Sequence, residues 1–366
     1  MSRYFLFGTL RWQTLLTEVA GRPVACTPAT LTGWSVERAA RGDWPVLVEG
    51  GSCTGLLTEP LDAGPRARLD WYETAFDYAP EAVTVGAEPA LVYRADDAGA
   101  GEGWDLDAWI AAHGARTRLA AAEVMRGLGR VSQTDLAARR GMIHARADGT
   151  LRVRGTRRPV TTGPSFTVDD IEVLGRRHPH DGFTGIEEWR IDHPRFDGSR
   201  SGPLTRTVAT TTDAATVLPY DPVRDRVLVV EQVRMGALAN GDPQPWMIEP
   251  VAGMIDAGEG PEACALRELE EEAGLRAPPE ALHFVARYYP SPGVLAQLLH
   301  SYVVTCDLPD GAAGLGGLDA EHEDLRLHLL ALDDLLAMIP SGEAANAPLV
   351  ASAQWLALNR ERLRAG

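Results

Sequence analysis

Apolar positions along this chain follow two rhythms in succession. From residue 1 to about 95, short alternating or continuous apolar runs (Tyr4–Phe7, Pro45–Val48, Gly55–Thr58, Ala82–Val85) are separated by turn residues, which predicts β-strands. A polar, glycine-rich break follows at 96–103. Residues 104–146 change to a spacing near 3.6, clearest in Leu119–Leu128 and Gln133–Ile143, which predicts helices. Residues 147–166, with Asp148-Gly149-Thr150 and Gly163-Pro164-Ser165, lose that periodicity and are expected to form the main linker. Strands are then predicted at Ile171–Leu174, Ile186–Ile191, Thr205–Thr211, Thr216–Pro219 and Val227–Glu231, with Asp221–Asp225 as a turn. A strong helix at 261–273 precedes further strands near Phe284–Tyr289, Leu299–Thr305 and Leu325–Leu330, and helices at about 332–339 and 347–363 close the chain. This order predicts an α+β or α/β chain. Its expected parts are a first domain at 1–95, a helical extension and linker at 96–166, and a second domain at 167–366.

Composition narrows this reading only slightly. The chain has 366 residues, enough for two domains, and 45% hydrophobic residues, ordinary for a globular protein. No apolar run reaches the ~18–20 residues that span a bilayer. The start, Met1 through Leu10, reads as a first strand rather than a targeting signal. Cys26, Cys53, Cys264 and Cys306 are too scattered for a disulfide framework, so a reducing cytoplasm is expected. The formal net charge of −16 argues against nucleic-acid binding. With such a balance, a phosphorylated substrate would need local positive charge, which bound cations can supply.

The sharpest chemistry lies at 253–275. Pro261 suits the first position of a helix and Gly274 the position just past its end. Ala263, Leu266 and Leu269 are expected to form the buried stripe. Glu268, Glu271 and Glu272, at i, i+3 and i+4, share a face on which like charges repel. Hard oxygen donors clustered in this way favour Mg²⁺, or Mn²⁺, and Arg267 is placed to order them. A solvated acidic face explains Glu262 and Glu270, but not the whole pattern.

Residues Gly253, Glu259, Arg267, Glu268, Leu269, Glu271, Glu272, Gly274 and Leu275 fit Gly-x5-Glu-x7-Arg-Glu-U-x-Glu-Glu-x-Gly-U, where U is aliphatic, at every position. The segment resembles the Nudix box. The resemblance implies an α/β/α sandwich with a mixed sheet and divalent metal held by Glu268, Glu272, Glu271 and the Ala252 carbonyl. Glu259 and Arg267 would be supporting residues. The implied activity is hydrolysis of a nucleoside diphosphate linked to another moiety. Around the box, Leu218–Asp225, Val230–Arg234, Pro245–Met254 and Tyr289–Gly293 resemble the ADP-ribose pyrophosphatase subfamily. That likeness implies an aromatic on adenine at Phe183, nucleotide and phosphate contacts from Arg206, Arg234 and Met254, and a mobile loop at 316–326. In that loop Glu321 would be the general base and Glu323 a further metal ligand, with the two assignments interchangeable. It also implies a homodimer formed through the Nudix domain, with an arm at about 167–210, and conversion of ADP-ribose to AMP and ribose 5-phosphate.

The first domain, through Tyr4-Phe5-Leu6-Phe7-Gly8-Thr9-Leu10 and Leu69-Asp70-Trp71-Tyr72-Glu73, resembles the γ-glutamylcyclotransferase-like (AIG2-like) family. A β-barrel with helices is implied, with the backbone near Gly8 binding a ligand and Glu73 as acid/base. Thr74, Phe7 and Tyr78-Ala79-Pro80 depart from the family's wording, which leaves a binding or scaffolding module open. Three other readings also stand: Nudix hydrolysis of another sugar nucleotide or dinucleotide, a non-catalytic ADP-ribose sensor, and a first domain that carries the main activity. The absence of a zinc-finger segment before the box disfavours a dinucleotide of the NADH type.

Overall fold

The computed structural model describes residues 1–156, 158, 160–162, 166–317 and 323–365. The chain divides into two compact units, Met1–Gly155 and Thr156–Gly366.

The first unit contains strands β1 (Phe5–Leu6), β2 (Cys26–Ala39), β3 (Pro45–Thr58), β4 (Ala79–Val85), β5 (Glu88–Arg94) and β6 (Gly99–Gly103). Its helices are α1 (Gln13–Ala20), α2 (Ala63–Thr74), α3 (Leu106–Arg126), α4 (Gln133–Ala138) and α5 (Arg140–Arg154). Four strands pair in the order β1-β3-β2-β6, and β4 and β5 form a separate hairpin. A parallel bridge from Tyr4 to Leu91 ties that hairpin to the first strand. Side-chain alternation at the start of the chain divides the core in two. Phe5 and Phe7 point into a cluster with Leu31, Leu57, Val85 and Val92, enclosed by the strands. Tyr4 and Leu6 point the other way, onto Leu15, Leu16, Leu69 and Val124 of α1, α2 and α3.

Two stretches differ from the sequence reading. The glycine-rich segment 99–103 is a strand, because backbone pairing with β2 needs no apolar side chains. Residues 147–154 are helical, not linker. Ala145, Ala147 and Gly149 are buried in the packing of α5, and Arg146 pairs with Glu123 of α3. Small residues that allow close approach give no strong apolar period.

The second unit contains β7 (Glu172–His180), β8 (Gly185–Asp192), β9 (Leu204–Thr210), β10 (Ala214–Asp221), β11 (Arg226–Val233), β12 (Trp246–Glu249), β13 (Val251–Met254), β14 (Leu282–Tyr288), β15 (Leu295–Ala296), β16 (Leu299–Thr305), β17 (Gly314–Gly316) and β18 (Leu325–Ala331). Its helices are α6 (Met235–Ala239), α7 (Pro261–Ala273), α8 (Leu332–Ser341) and α9 (Ala347–Arg364). The main sheet runs β14-β16-β10-β11-β18-β17, with β12 beside β11 and β13 beside β10. It is mixed: β10 and β16 are parallel, whereas β10 and β11 are antiparallel. Every residue of β10 is buried, as expected of a central strand covered on both faces. One face carries Val217, Leu228, Val230 and Tyr302 beneath Cys264, Ala265 and Leu269 of α7. The other carries Leu218, Val227, Val229 and Val303 against Leu335 of α8 and Leu349, Ala353 and Leu356 of α9. This is the α/β/α sandwich expected of the second domain. A separate sheet, β15-β9-β8-β7, holds the segment before the box. Among the described residues no helix is long and apolar enough to cross a membrane.

Candidate functional site

Helix α7 starts with Pro261 at its first position and ends at Gly274, which takes the left-handed conformation (φ 64°) that favours glycine. Its buried side is Cys264, Ala265, Glu268, Leu269 and Glu272. Ala263 is exposed, contrary to the stripe expected from sequence. The helix is rotated so that two glutamates face inward, because β13 leaves room for them. At Gly253 a Cβ would come within 1.7 Å of Glu268 Oε1, so only glycine lets that carboxylate lie against the strand. The backbone N–H of Ala252 donates to Glu272 Oε2 at 3.2 Å. Both contacts hold the acids on the strand that supplies the Ala252 carbonyl.

Arg267 organises the cluster. Its Nη1 donates to Glu268 Oε1 at 2.6 Å and to Glu271 Oε2 at 2.7 Å. Its Nε and Nη2 each donate to Glu259 at 3.0 Å, a fork on the two carboxylate oxygens. Nη2 also reaches the Met254 carbonyl at 3.2 Å. Burial opposes ionisation of Glu259, yet the Arg267 fork and the Asp256 N–H keep it below the usual carboxylate range.

Glu268 and Glu272 behave differently. Burial pushes Glu268 up to about 7, with the charges of Glu271 and Glu323 adding to the rise and Arg267 opposing it. Burial pushes Glu272 up to about 8; Glu268 and Glu323 add to this, while the Ala252 N–H and Arg234 oppose it. These acids also lie toward the helix C-terminus, where the backbone dipole disfavours negative charge. Electropositive compensation is therefore needed for both to ionise together.

The donor chemistry fits a hard divalent cation: carboxylate oxygens and a carbonyl, with no sulfur or imidazole among the expected ligands. Among the described residues no three His, Cys, Asp or Glu side chains converge into a ready metal cage. Arg267 instead occupies Glu268 and Glu271.

The other sequence-predicted residues fall in three places. Arg234 follows β11, and its Nε donates to Glu249 Oε2 at 2.6 Å; its charge reaches Glu272. Met254 ends β13 beside Arg267. Glu323 lies within electrostatic reach of both Glu268 and Glu272, whereas Glu321 lies outside the described residues. Phe183, on the turn between β7 and β8, is 58% exposed, so it does not fill a core. Arg206, on β9, donates to the Thr205 carbonyl at 3.0 Å, and among the described residues no ion pair joins it to the acid cluster. Sequence reasoning did not single out Glu249 or Asn346. Glu249 is 4% exposed and accepts from Asn346 Nδ2 at 2.7 Å. The one sequence signal was Asn346 before Ala347-Pro348, a helix-start pattern.

The first unit has its own unusual carboxyl. Glu73, on α2, is 9% exposed, and its carboxyl has no hydrogen-bond partner among the described residues. Burial pushes it up to about 8. Its charge is felt by Tyr78, whose hydroxyl donates to the Pro45 carbonyl at 2.7 Å. The Pro45 ring in turn lies so close to Gly8 that a Cβ there would meet Cγ at 2.7 Å. Gly8, Pro45, Tyr78 and Glu73 thus form one connected region.

Comparison with known proteins gives two family matches. Residues 210–353 match the NUDIX domain, and residues 4–110 match the family described as gamma-glutamyl cyclotransferase, AIG2-like. An ADP-ribose pyrophosphatase of Haemophilus influenzae is 35% identical over 201 residues, covering 54% of this chain and 91% of that protein. An ADP-ribose pyrophosphatase of Escherichia coli (strain K12) is 36% identical over 209 residues, covering 56% and 95%. A GDP-mannose pyrophosphatase of Citrobacter koseri is 31% identical over 144 residues, covering 39% and 73%.

Two outcomes follow from this geometry. Replacing Gly253 with Ala forces Glu268 off β13; chemical denaturation should show a loss of about 1–3 kcal/mol, the usual penalty of overpacking. A loss below a few tenths of a kcal/mol would mean that the close approach is not maintained. The second concerns Glu73, whose folded-state value is raised. Its contribution to stability is complete below about 4.5 and disappears as pH rises through about 8. Melting temperatures of the wild type should fall across that window, and Glu73→Gln should flatten the fall. Parallel curves for the two proteins would contradict the buried, unpaired carboxyl.

Proposed function

Because the chain belongs to the Nudix family through its second unit, with ADP-ribose pyrophosphatases among its relatives, we propose that it hydrolyses the pyrophosphate of ADP-ribose to AMP and ribose 5-phosphate. The observation that carries this is the pair Glu268 and Glu272, buried against β13 with raised affinities for protons, Glu272 accepting from the Ala252 N–H. In this reading Glu268, Glu272, Glu271, Glu323 and the Ala252 carbonyl hold magnesium, with manganese as a substitute. The bound metal supplies charge neutralisation for the pyrophosphate and an acidified water.

The rest of the chemistry belongs to the chain's own residues. Arg267 keeps Glu259 ionised and orders Glu268 and Glu271 until substrate and cation arrive. Arg234 and Met254 bind the nucleotide at the edge of the acid cluster. Glu321 takes the proton from the attacking water, with Glu323 as the alternative base. Phe183 and Arg206 stand on the β7–β9 arm, and no ion pair joins Arg206 to the acid cluster of its own chain among the described residues. They reach a site most simply in a homodimer, where adenine is held from both subunits. The exposure of Val173 (53%) and Phe196 (87%) near the same arm supports that assembly. A cytoplasmic location fits the four unpaired thiols.

For the first unit, a second reading is favoured by one observation: Glu73 is buried, unpaired and mostly protonated at neutral pH. Such a group suits proton transfer to a bound amide, as the AIG2-like match would require, with Glu73 as acid/base.

The test is a substrate panel of ADP-ribose, NADH, ADP-glucose and GDP-mannose with Mg²⁺. AMP should appear fastest from ADP-ribose, and chelation with EDTA should abolish release. Glu272→Gln should lower kcat more than about a hundredfold, since several kcal/mol of charge stabilisation is lost, with an unchanged circular dichroism spectrum. Faster release of GMP from GDP-mannose would transfer the activity to that substrate class. Full activity of Glu272→Gln would remove the metal assignment.

A further inference from the structure

Arg234 is not held by the acid cluster. Its backbone N–H donates to the Pro245 carbonyl at 2.8 Å, which fixes the start of its side chain. Its Nε and Nη2 both lie 2.6 Å from Glu249 Oε2. Among the described residues Nη1 has no acceptor, and the side chain is 41% exposed. The other oxygen of Glu249 accepts from Asn346 Nδ2 at 2.7 Å. Asn346 is the N-cap of α9, where its Oδ1 accepts from the Leu349 N–H at 3.0 Å. Both ends of the amide are therefore committed. The capping bond turns the oxygen toward the helix, and this turns the nitrogen toward Glu249.

We propose that Asn346 and Glu249 are positioning residues that hold the Arg234 guanidinium with Nη1 presented to a phosphate oxygen of the nucleotide. The proposal rests on the reading of Arg234 as a substrate arginine. A buried carboxylate with one good partner is free to swing; with donors on both oxygens it has one orientation, and it passes that orientation to the arginine. Binding energy is then not spent on ordering Arg234. The helix cap on the face opposite α7 thereby becomes part of the nucleotide site.

Three variants test this. Asn346→Asp keeps an oxygen for the cap but places a carboxylate against Glu249. Asn346→Ser keeps a neutral cap and loses the donor. The double variant Asn346→Asp with Glu249→Gln restores the bond with donor and acceptor exchanged, and the new amide on β12 keeps an oxygen for Arg234. Asn346→Asp should raise KM for ADP-ribose about tenfold with kcat within about twofold, the size expected for one unsatisfied buried group. Asn346→Ser should raise it about threefold, and the double variant should return it to within about threefold of wild type. An unchanged KM in both single variants would overturn the proposal. So would a double variant, folded by its melting curve, that recovers nothing, or an effect confined to melting temperature. Calorimetry of ADP binding in EDTA is run in parallel and should show the same order of affinities. Should the wild type release no AMP from ADP-ribose, the substrate assignment fails by itself. Equal ADP affinities in wild type and Asn346→Asp would then overturn the positioning role independently.

Discussion

Everything chemical in the second unit depends on burying glutamates that repel one another. Glu268 and Glu272 are one helical turn apart, are largely withdrawn from solvent, and lie near the charge of Glu323. A protein core tolerates this only with compensation, and here it is partial. Arg267 serves Glu259, Glu268 and Glu271, while among the described residues Glu272 is stabilised by a backbone N–H and the more distant Arg234. The apparatus around the helix keeps that tension in place. The bare backbone at Gly253 allows the approach, and Leu269, Cys264 and Ala265 anchor the helix on the sheet. Gly274 turns the chain away before the next strand.

The same logic separates the arginines. Arg267 acts as an internal counter-ion to the acids, whereas Arg234 is held from behind by a carboxylate that is itself held by a helix cap. On the proposed function, the first would yield its partners when a divalent ion arrives and the second would stay aimed at the nucleotide. Arg267 sits on α7, and Arg234 at the junction of β11 and α6 with its backbone N–H tied to the Pro245 carbonyl, so both are positioned by the elements beside them.

Much of this was legible before any coordinates. The spacing of Pro261, Glu268, Glu271, Glu272 and Gly274 fixed the helix and its end to the residue, because capping and proline chemistry are local. The apolar run Tyr4–Phe7 foretold a strand, and the structure sets it between two cores. What was not legible depended on distant partners. Ala263 looked buried and is exposed, since the stripe is set by which side β13 can accommodate, and that depends on a glycine in the preceding strand. The last two turns of α5 were hidden by Asp148-Gly149-Thr150, turn residues whose helical state is imposed by packing within the first unit. Strand β6 was hidden because its glycines contribute only backbone. The link from Asn346 to Arg234 joins residues far apart in sequence and left no trace beyond a helix-start signal.

On the proposed function, divalent ions relieve the energetic cost at which the α7 acids are held. Melting temperature as a function of Mg²⁺ concentration, for wild type and for Glu268→Gln combined with Glu272→Gln, measures this most directly. Without metal the double variant should melt higher than the wild type, and millimolar Mg²⁺ should raise the wild type and leave the variant unmoved. A wild type indifferent to Mg²⁺, or a variant that gains as much from it, would contradict the claim.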